Sequence, residues 1–348
     1  MSGQKNSYRD AGVDIDAGNR TVALMKAAVN ATHGPAVLAG VGAFGGLFSL
    51  AGLRGMTDPV LAASADGVGT KVRIAAKYGR LAGVGIDLVN HCVDDILVQG
   101  ARPLFFLDYV ASSRLEPELV ASIVGGMAQA CKANGCALLG GETAEMPGVY
   151  CEGEIDVVGT IVGVVDRAKI IDGRRVTPGD AVVGLASASP HTNGYSLIRH
   201  ILGDRDLEVF EPALDAKPVD LLLEPHRPYV EDVDAIEAAG VDIKGIAHIT
   251  GGGLIENPPR ILPRDTVLHL HRSAWPVPPL FRWLQTLGNV DSAEMHRVFN
   301  MGLGFLIIVP ADQAEAAMAA APTPSWRVGE IRAGVGAPTV AFHPAFSV

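Results

Sequence analysis

Four times along this chain a short apolar run gives way to a loop of glycine and polar residues. Val60 to Ala65 leads into Asp66-Gly-Val-Gly-Thr-Lys71, Ala137 to Leu139 into Gly140-Gly-Glu-Thr-Ala-Glu-Met-Pro-Gly148, Ala181 to Ala186 into the loop from Ser187 to Gly194, and Ile246 to Thr250 into Gly251-Gly-Gly253. Apolar runs of this length suit buried strands. Glycine at their ends lets backbone amides approach a ligand, because no Cβ stands in the way. Further strands are expected at Pro103 to Val110, Ile155 to Val165, Val267 to Leu270, Gly304 to Val309 and Trp326 to Ile331. Between the strands lie helical patterns. They cover Asp16 to Asn30 with Asp16 as cap, Asp87 to Gln99, a helix from Pro117 to near Gly135, one starting at Tyr195, Val230 to Ala239, and Asp312 to Ala320. Strands alternating with helices make the chain α/β. Charged and turn-forming residues crowd Asp166 to Pro178, which divides it into two domains, 1–170 and 171–348.

Composition narrows the function. With 38 Asp+Glu against 28 Lys+Arg the formal charge is −10, which excludes a general nucleic-acid binder, since that needs a basic surface. A hydrophobic share of 48% with 19% charged residues excludes a disordered chain. Cys92, Cys131, Cys136 and Cys151 have no CxxC spacing and are expected as reduced thiols of a cytoplasmic protein. The polar start MSGQKNSYRDAGVDID is not expected to act as a secretory signal. Pro35 to Leu53 is uncharged for nineteen residues, the length of a membrane span. Glycines at 40, 42, 45, 46 and 52 read it instead as a glycine-rich loop plus strand.

Five groups of residues are candidates to carry chemistry. The Asp66 to Lys71 loop has the make-up of an anion-facing turn, with Gly67 and Gly69 opening the backbone, Asp66 placed for a metal and Lys71 for a point charge. It lacks the GxxxxGK[ST] spacing of a Walker A loop. On the helix from Asp87, residues 87, 91, 94 and 95 fall at about 0°, 40°, 340° and 80°. Asp87, His91, Asp94 and Asp95 therefore share a face, which is either solvated or a divalent-cation site. Magnesium suits such oxygen ligands. Glu142 and Glu145 sit in a loop crowded with glycine and proline, as candidate metal or nucleotide contacts. In the Ser187 to Gly194 loop, hydroxyls, His191, Asn193 and amides suit a phosphate, and His248 opens a third loop of the same kind. Either histidine is a structural hydrogen-bonding residue or a general base.

Read in order, Ser7-Tyr-Arg-Asp-Ala-Gly-Val-Asp-Ile-Asp-Ala-Gly-Asn19, Asp66 to Lys71, Val98-Gln-Gly-Ala-Arg-Pro-Leu-Phe-Phe-Leu-Asp-Tyr109, Gly140 to Gly148, Pro190-His-Thr-Asn-Gly-Tyr-Ser196 and His248 to Gly253 closely resemble the phosphoribosylformylglycinamidine cyclo-ligases, or aminoimidazole ribonucleotide synthetases. The resemblance spans about residues 7 to 332. It implies a two-domain ATP-using synthetase fold, α/β (α+β), that converts formylglycinamidine ribonucleotide to aminoimidazole ribonucleotide with release of ADP and phosphate in purine biosynthesis. It also implies a homodimer whose N-terminal sheets join as a barrel, with ATP near the subunit boundary, and no membrane or nucleic-acid partner. By position it implies a metal at Asp66, Asp95 and Glu142, with Asp87 as a further ligand. ATP contacts fall at Asp66, Gly67, Gly69, Thr70, Lys71 and Glu142. Substrate contacts fall at Ser189, His191, Asn193, Thr250, Gly251, Gly252 and Gly253. Lys71, His191 and His248 stand at the chemistry, with ATP and Mg²⁺ as cofactors and room for a monovalent cation. The chain departs from the family pattern at Asp94, where an asparagine is expected. Selenophosphate synthetase is disfavoured because the first cysteine is Cys92, and formylglycinamidine ribonucleotide synthetase because the chain has no room for a glutaminase. A non-catalytic scaffold has no need of clustered, mutually repelling carboxylates.

Overall fold

The computed structural model describes residues 12–187 and 189–344, so Ser7 to Ala11 of the opening motif lie outside the described residues. The chain divides into two units, one formed by the described part of Met1–Ile96 with Arg102–Arg167, the other by Leu97–Ala101 with the described part of Ala168–Val348.

The first unit runs α1 (Ile15–Asn30), β1 (Val37–Ala39), β2 (Leu47–Phe48), β3 (Pro59–Gly67), α2 (Lys71–Lys77), α3 (Ala82–Leu97), β4 (Arg102–Ser112), α4 (Pro117–Ala133), β5 (Ala137–Glu145) and β6 (Ile155–Asp166). Its four-stranded sheet has the order β3-β6-β4-β5, antiparallel except for the β4–β5 pair. Parallel neighbours need a crossover, and α4 supplies it, with Pro117 in its first turn where the missing N–H costs nothing. The cap of α1 is Asp14, whose carboxylate accepts from the amides of Asp16 and Ala17. Asp16, expected as the cap, lies in the first turn. Pro35 to Leu53 forms the β1–β2 hairpin and a 3₁₀ turn at Leu50–Leu53. Among the described residues no helix is long and apolar enough to cross a membrane.

Strand alternation sorts β3 into two faces. Ala62 is buried, and Ser64 and Asp66 share its side, whereas Leu61, Ala63 and Ala65 are exposed on the other. The buried apolar side of α3, Leu88, Val89, Cys92, Val93 and Ile96, covers the sheet, and Gly159 of β6 leaves space for the ring of Phe106 and for Leu88. Helices α3 and α4 cross where both lack side chains. A Cβ on Gly85 would overlap the carbonyl of Ile123, and one on Gly126 the carbonyl of Ala82.

Gly140 to Glu145 is not the expected loop but the second half of β5, laddered to Leu107 through Ser112 of β4. The ladder outweighs the low strand preference of its glycines, and Gly141 is required by the close approach of Asp108, into which a Cβ would run.

The second unit contains β7 (Ala181–Ala186), α5 (Tyr195–Leu202), α6 (Pro218–Leu222), α7 (Val230–Ala238), β8 (Gly245–His248), α8 (Gly253–Glu256), β9 (Thr266–His271), α9 (Pro279–Gly288), α10 (Ser292–Val298), β10 (Leu303–Val309), α11 (Ala314–Ala320), β11 (Ser325–Ala333) and β12 (Thr339–His343). Its six-stranded sheet has the order β12-β9-β11-β7-β10-β8. The core gathers Val183, Leu185, Ile246, Phe305 and Ile307 from β7, β8 and β10 against Val233 and Ile236 of α7 and Ala317 of α11. Strand order places the ends of β7 and β8 on either side of β10, which brings two of the glycine loops together.

The α3–α4 crossing yields a paired prediction. Gly126→Ala should destabilise by about 1–3 kcal/mol, the usual cost of overpacking. Gly125→Ala, next to it but facing open space, should be neutral or stabilise by up to about 1 kcal/mol, the helix preference for alanine. Thermal unfolding of the two variants distinguishes them, and equal effects would contradict the close crossing.

Candidate active site

In the first unit, β3 delivers Ser64 and Asp66 to the side on which α3 presents His91 and, one turn on, Asp95. His91 Nε2 lies 2.9 Å from Asp66 Oδ2 and 3.8 Å from Asp95 Oδ2. Ser64 Oγ donates to Asp95 Oδ2 at 2.9 Å, and the amide of Gly67 donates to Asp66 Oδ1 at 2.6 Å. The hydrogen bond from His91 holds the Asp66 carboxyl below the usual carboxylate range, against a smaller opposing effect of burial. Burial works to lower the His91 pKa, but the bond to Asp66 and the charges of Asp95, Asp66 and Asp87 outweigh it and raise it. Asp66, His91 and Asp95 offer three ligand atoms within 4.8 Å of one another. Two ionised carboxylates suit a hard cation such as Mg²⁺, so the donor set fits the metal implied for Asp66 and Asp95.

Lys71 and Asp87 are placed differently from expectation. Their side chains are 1% and 0% exposed, with Lys71 Nζ 2.9 Å from each carboxylate oxygen of Asp87. Asp87 was expected as a metal ligand and Lys71 as an open charge for phosphate. Each is instead committed to the other, because an ammonium buried this deeply needs an adjacent anion. Gly69 adopts φ +67 and Thr70 is the cap position of α2, so the Asp66 to Lys71 turn is formed as expected. Asp94 is fully buried, which removes the reading that it faces water.

Glu142 lies outside this cluster. It is exposed on β5, at the opposite edge of the sheet from β3, three strand spacings or about 14 Å away. Register puts Glu142 in the row of Gly67, Val158 and Tyr109, one step out of phase with Asp66, so its side chain leaves from the other face. The three acids expected to converge on one cation do not do so within one chain. Glu142 instead borders a cavity of about 680 Å³ lined by Gly40 to Gly46, Leu139, Gly141 and Asp108. Burial, with the charge of Glu142 adding to it, pushes the Asp108 carboxyl up to about 7. Near neutrality it can therefore donate a hydrogen bond. Glu145 is occupied structurally, accepting from the amides of Asp14 at 2.6 Å and Leu115 at 2.8 Å.

In the second unit the Ser187–Gly194 and His248–Gly253 loops meet. Asn193 Oδ1 lies 3.3 Å from where a Cβ of Gly251 would stand. Ser189 Oγ accepts from the His191 amide and donates to the Glu224 carbonyl, both at 3.0 Å. Asn257 holds the second loop, accepting from the Thr250 amide at 2.9 Å and donating to the Gly251 carbonyl at 3.1 Å. Gly252 and Gly253, at φ +105 and +54, open the one-turn α8. His191 is buried with φ 60, a backbone region costly for a residue with a Cβ, and its ring stacks on His226, while His226 lies edge-on to His248. Sequence reasoning missed His226, Tyr229, Asn257 and Asn300. The turn-rich stretch Glu224-Pro-His-Arg-Pro228 carried a signal for the first two, and the other two sit in stretches without one.

Comparison with known proteins adds the following. Residues 50–165 match the family model described as AIR synthase related protein, N-terminal domain, and 177–339 the corresponding C-terminal domain. A phosphoribosylformylglycinamidine cyclo-ligase of Magnetococcus marinus is 53% identical over 330 residues, covering 93% of each chain. Another, of Bordetella pertussis, is 51% identical, covering 90% of this chain and 89% of its own. Among solved structures, thiamine-monophosphate kinase from Stenotrophomonas maltophilia has a TM-score of 0.69 at 17% identity, over 94% of this chain and 97% of its own. Hydrogenase maturation protein HypE in complex with ATP has a TM-score of 0.69 at 17% identity, over 99% and 94%. At these identities the structures establish the fold alone.

Two measurements follow from the first unit. Removing one partner of a buried pair leaves the other charge uncompensated. Asp87→Ala should therefore cost about 3–5 kcal/mol in denaturant unfolding, and Lys71→Met/Asp87→Leu should recover most of it; a cost below about 1 kcal/mol for the single variant would contradict the burial. The His91–Asp66 pair stabilises most between the ordinary carboxylate and imidazole pKa values, about 4 to 6.5. The Asp66 part, with its folded pKa lowered, is lost as pH falls through that value. The His91 part, with its folded pKa raised, is lost as pH rises through its own. In the metal-free protein the His91 ring should titrate by NMR above about 6.5, and Asp66→Asn should move the midpoint down. An unchanged midpoint would contradict the pairing.

Proposed function

The chain belongs to the phosphoribosylformylglycinamidine cyclo-ligase family, and from that premise we propose how its residues divide the work of an ATP-dependent ring closure. The reaction is that of a ligase of purine biosynthesis, which turns formylglycinamidine ribonucleotide into aminoimidazole ribonucleotide as ATP becomes ADP and phosphate. The observation that carries the assignment of residues is the meeting of the Ser187–Gly194 and His248–Gly253 loops, with Asn193 against Gly251. Backbone amides and hydroxyls gathered at strand ends suit the 5′-phosphate of a ribonucleotide. We therefore assign Ser189, Asn193, Thr250 and Gly251 to Gly253 to substrate binding.

The chemical obstacle is the formyl amide, whose carbon is a poor electrophile and whose oxygen leaves poorly. Transfer of the γ-phosphoryl group of ATP to that oxygen removes both difficulties. An amidine nitrogen of the same molecule then attacks the carbon, and phosphate departs. Attack within one molecule replaces a bimolecular encounter, so the protein's main task is to hold the reacting groups in place. Asp66 and Asp95 would hold Mg²⁺, which when bound neutralises phosphate charge. The cavity beside Glu142 and Asp108, lined by the Gly40 to Gly46 segment, has the volume of a small-molecule site and is assigned to the nucleotide, with its phosphates reaching the acids of a second copy, since Asp66 and Asp95 of the same chain lie at the far edge of the sheet; ATP in the similar fold of HypE supports ATP use. Buried Lys71 and Asp87 fix the base of the Asp66 turn rather than reach into solution. His191 and His248 are assigned to proton transfer. The buried thiols of Cys92, Cys131 and Cys136 have no part in this scheme; burial raises the Cys92 thiol well above its ordinary range. A cytoplasmic setting suits reduced thiols.

The outer face of the first unit's sheet is apolar and open, with Leu61 61% and Leu107 37% exposed beside Phe105 and Val162. A patch of this kind needs a cover, and a second copy supplying its own sheet is the proposed cover.

Purified protein supplied with formylglycinamidine ribonucleotide, ATP and Mg²⁺ should form aminoimidazole ribonucleotide and ADP in equal amounts. Asp66→Asn and Asp95→Asn should each lower turnover at least about tenfold, within the usual reach of charge stabilisation of phosphoryl transfer. Asn193→Ala should raise the KM for the ribonucleotide more than that for ATP. Wild-type turnover in both acid variants would remove the metal assignment, and the reverse KM pattern would move the second-unit loops to the nucleotide. Sedimentation should give a dimer that Leu61→Glu dissociates; a stable, active wild-type monomer rejects the cover.

A further inference from the structure

We infer that His226 is a positioning residue of the ring closure, its ring setting the tautomer of His248 on one side and the orientation of His191 on the other. The inference rests on the cyclo-ligase reading of the second unit. His226 is 1% exposed. Its ring lies parallel to that of His191, with centroids 3.8 Å apart and planes 25° apart, and its Nε2 is 3.2 Å from Nε2 of His248, with the rings at 70°.

An imidazole–imidazole hydrogen bond needs an N–H on one ring and a lone pair on the other. A neutral pair joined Nε2 to Nε2 therefore contains one ring protonated at that nitrogen and one protonated at Nδ1, so the tautomer of His248 is tied to that of His226, and on this inference the pair holds one of the two arrangements. A ring with a fixed tautomer is a usable proton acceptor in every turnover; a ring free to choose is usable in only a fraction of them. Toward His191 the device is packing. Gly304 of β10 leaves the space that the His191 ring and the Tyr229 hydroxyl occupy, since a Cβ there would be 2.7 Å from His191 Cε1 and would overlap Tyr229 Oη. His226 stacks on the same His191 ring.

The segment bearing His226 is itself tied to the substrate loop. Pro225 and Pro228 restrict the backbone on either side. The Glu224 carbonyl accepts from Ser189 Oγ at 3.0 Å, and Tyr229 Oη donates to the Ala186 carbonyl at 2.8 Å. The residue before His226 and the one before it, and the tyrosine three beyond it, thus carry it in register with the Ser187–Gly194 loop.

The test separates the two contacts in the full-length chain. His226→Phe keeps a flat ring against His191 but has no bond for His248, and His226→Gln restores an amide near the position of Nε2. His226→Phe should lower kcat at least about tenfold, a small part of what general acid–base catalysis supplies, with the KM of both substrates within about twofold. His226→Gln should regain most of the loss. Full kcat in His226→Phe, a loss taken up by rises in both KM values, or no rescue by His226→Gln overturns the inference. Should His226→Phe fail to fold, wild-type protein decides: ¹⁵N shifts of the His248 ring should report one tautomer, and a mixture overturns the inference. A wild-type protein that forms no aminoimidazole ribonucleotide defeats the cyclo-ligase reading, and the ¹⁵N shifts still judge the His226–His248 bond.

Discussion

Lys71 and Asp87 face each other out of reach of water, and the first unit is built around the need to keep them together. An isolated ammonium or carboxylate at such a depth costs several kcal/mol, so the first residue of α2 and the first turns of α3 cannot move independently. That constraint fixes the turn between β3 and α2, because Asp66 and Lys71 are five positions apart and one end of the turn is anchored. It also fixes the rotation of α3. With Asp87 turned to Lys71, the 100° step per residue carries His91 and Asp95 round to the end of β3, where Asp66 and Ser64 meet them. The cation site is thus a consequence of a salt bridge that itself does not touch solvent. The missing side chains of Gly85 and Gly126 let α4 lie close against α3 and hold that rotation.

The second unit reaches the same end by another route. There the strain is in the backbone, at His191 with φ 60, a conformation worth of order 1–3 kcal/mol in a residue other than glycine. Neighbouring hydrogen bonds offset it: Ser189 takes the His191 amide, and Asn300 donates to the Ser189 carbonyl at 2.9 Å. A loop restrained at both ends can present its amides to a ligand without reordering, which is what phosphate binding by backbone requires.

Much of this was legible in the sequence, and the exceptions have physical causes. β7 was read to the residue because every one of its side chains is apolar or glycine and the flanking residues are not. The shared face of Asp87, His91, Asp94 and Asp95 followed from helical spacing, but spacing cannot say whether a polar face looks outward or into the protein; that depends on Lys71 arriving from another helix. The extension of β5 through Gly140 and Gly141 was hidden because glycine signals a loop unless a neighbouring strand claims its amides. Glu142 was grouped with Asp66 by motif, whereas strand order places it at the far edge. β12 gave no pattern, since its five residues lie on an edge and only Phe342 is buried. His226 was missed because the prolines around it mark only a turn and say nothing of the two other rings it meets.

The claim on which the rest turns is that ATP activates the formyl oxygen and that the chain's residues serve to position that transfer. Formylglycinamidine ribonucleotide carrying ¹⁸O in its formyl group tests it in one turnover. Phosphorylation of that oxygen sends the label into inorganic phosphate, one atom for each ring closed. Label recovered in water, with unlabelled phosphate, would contradict it.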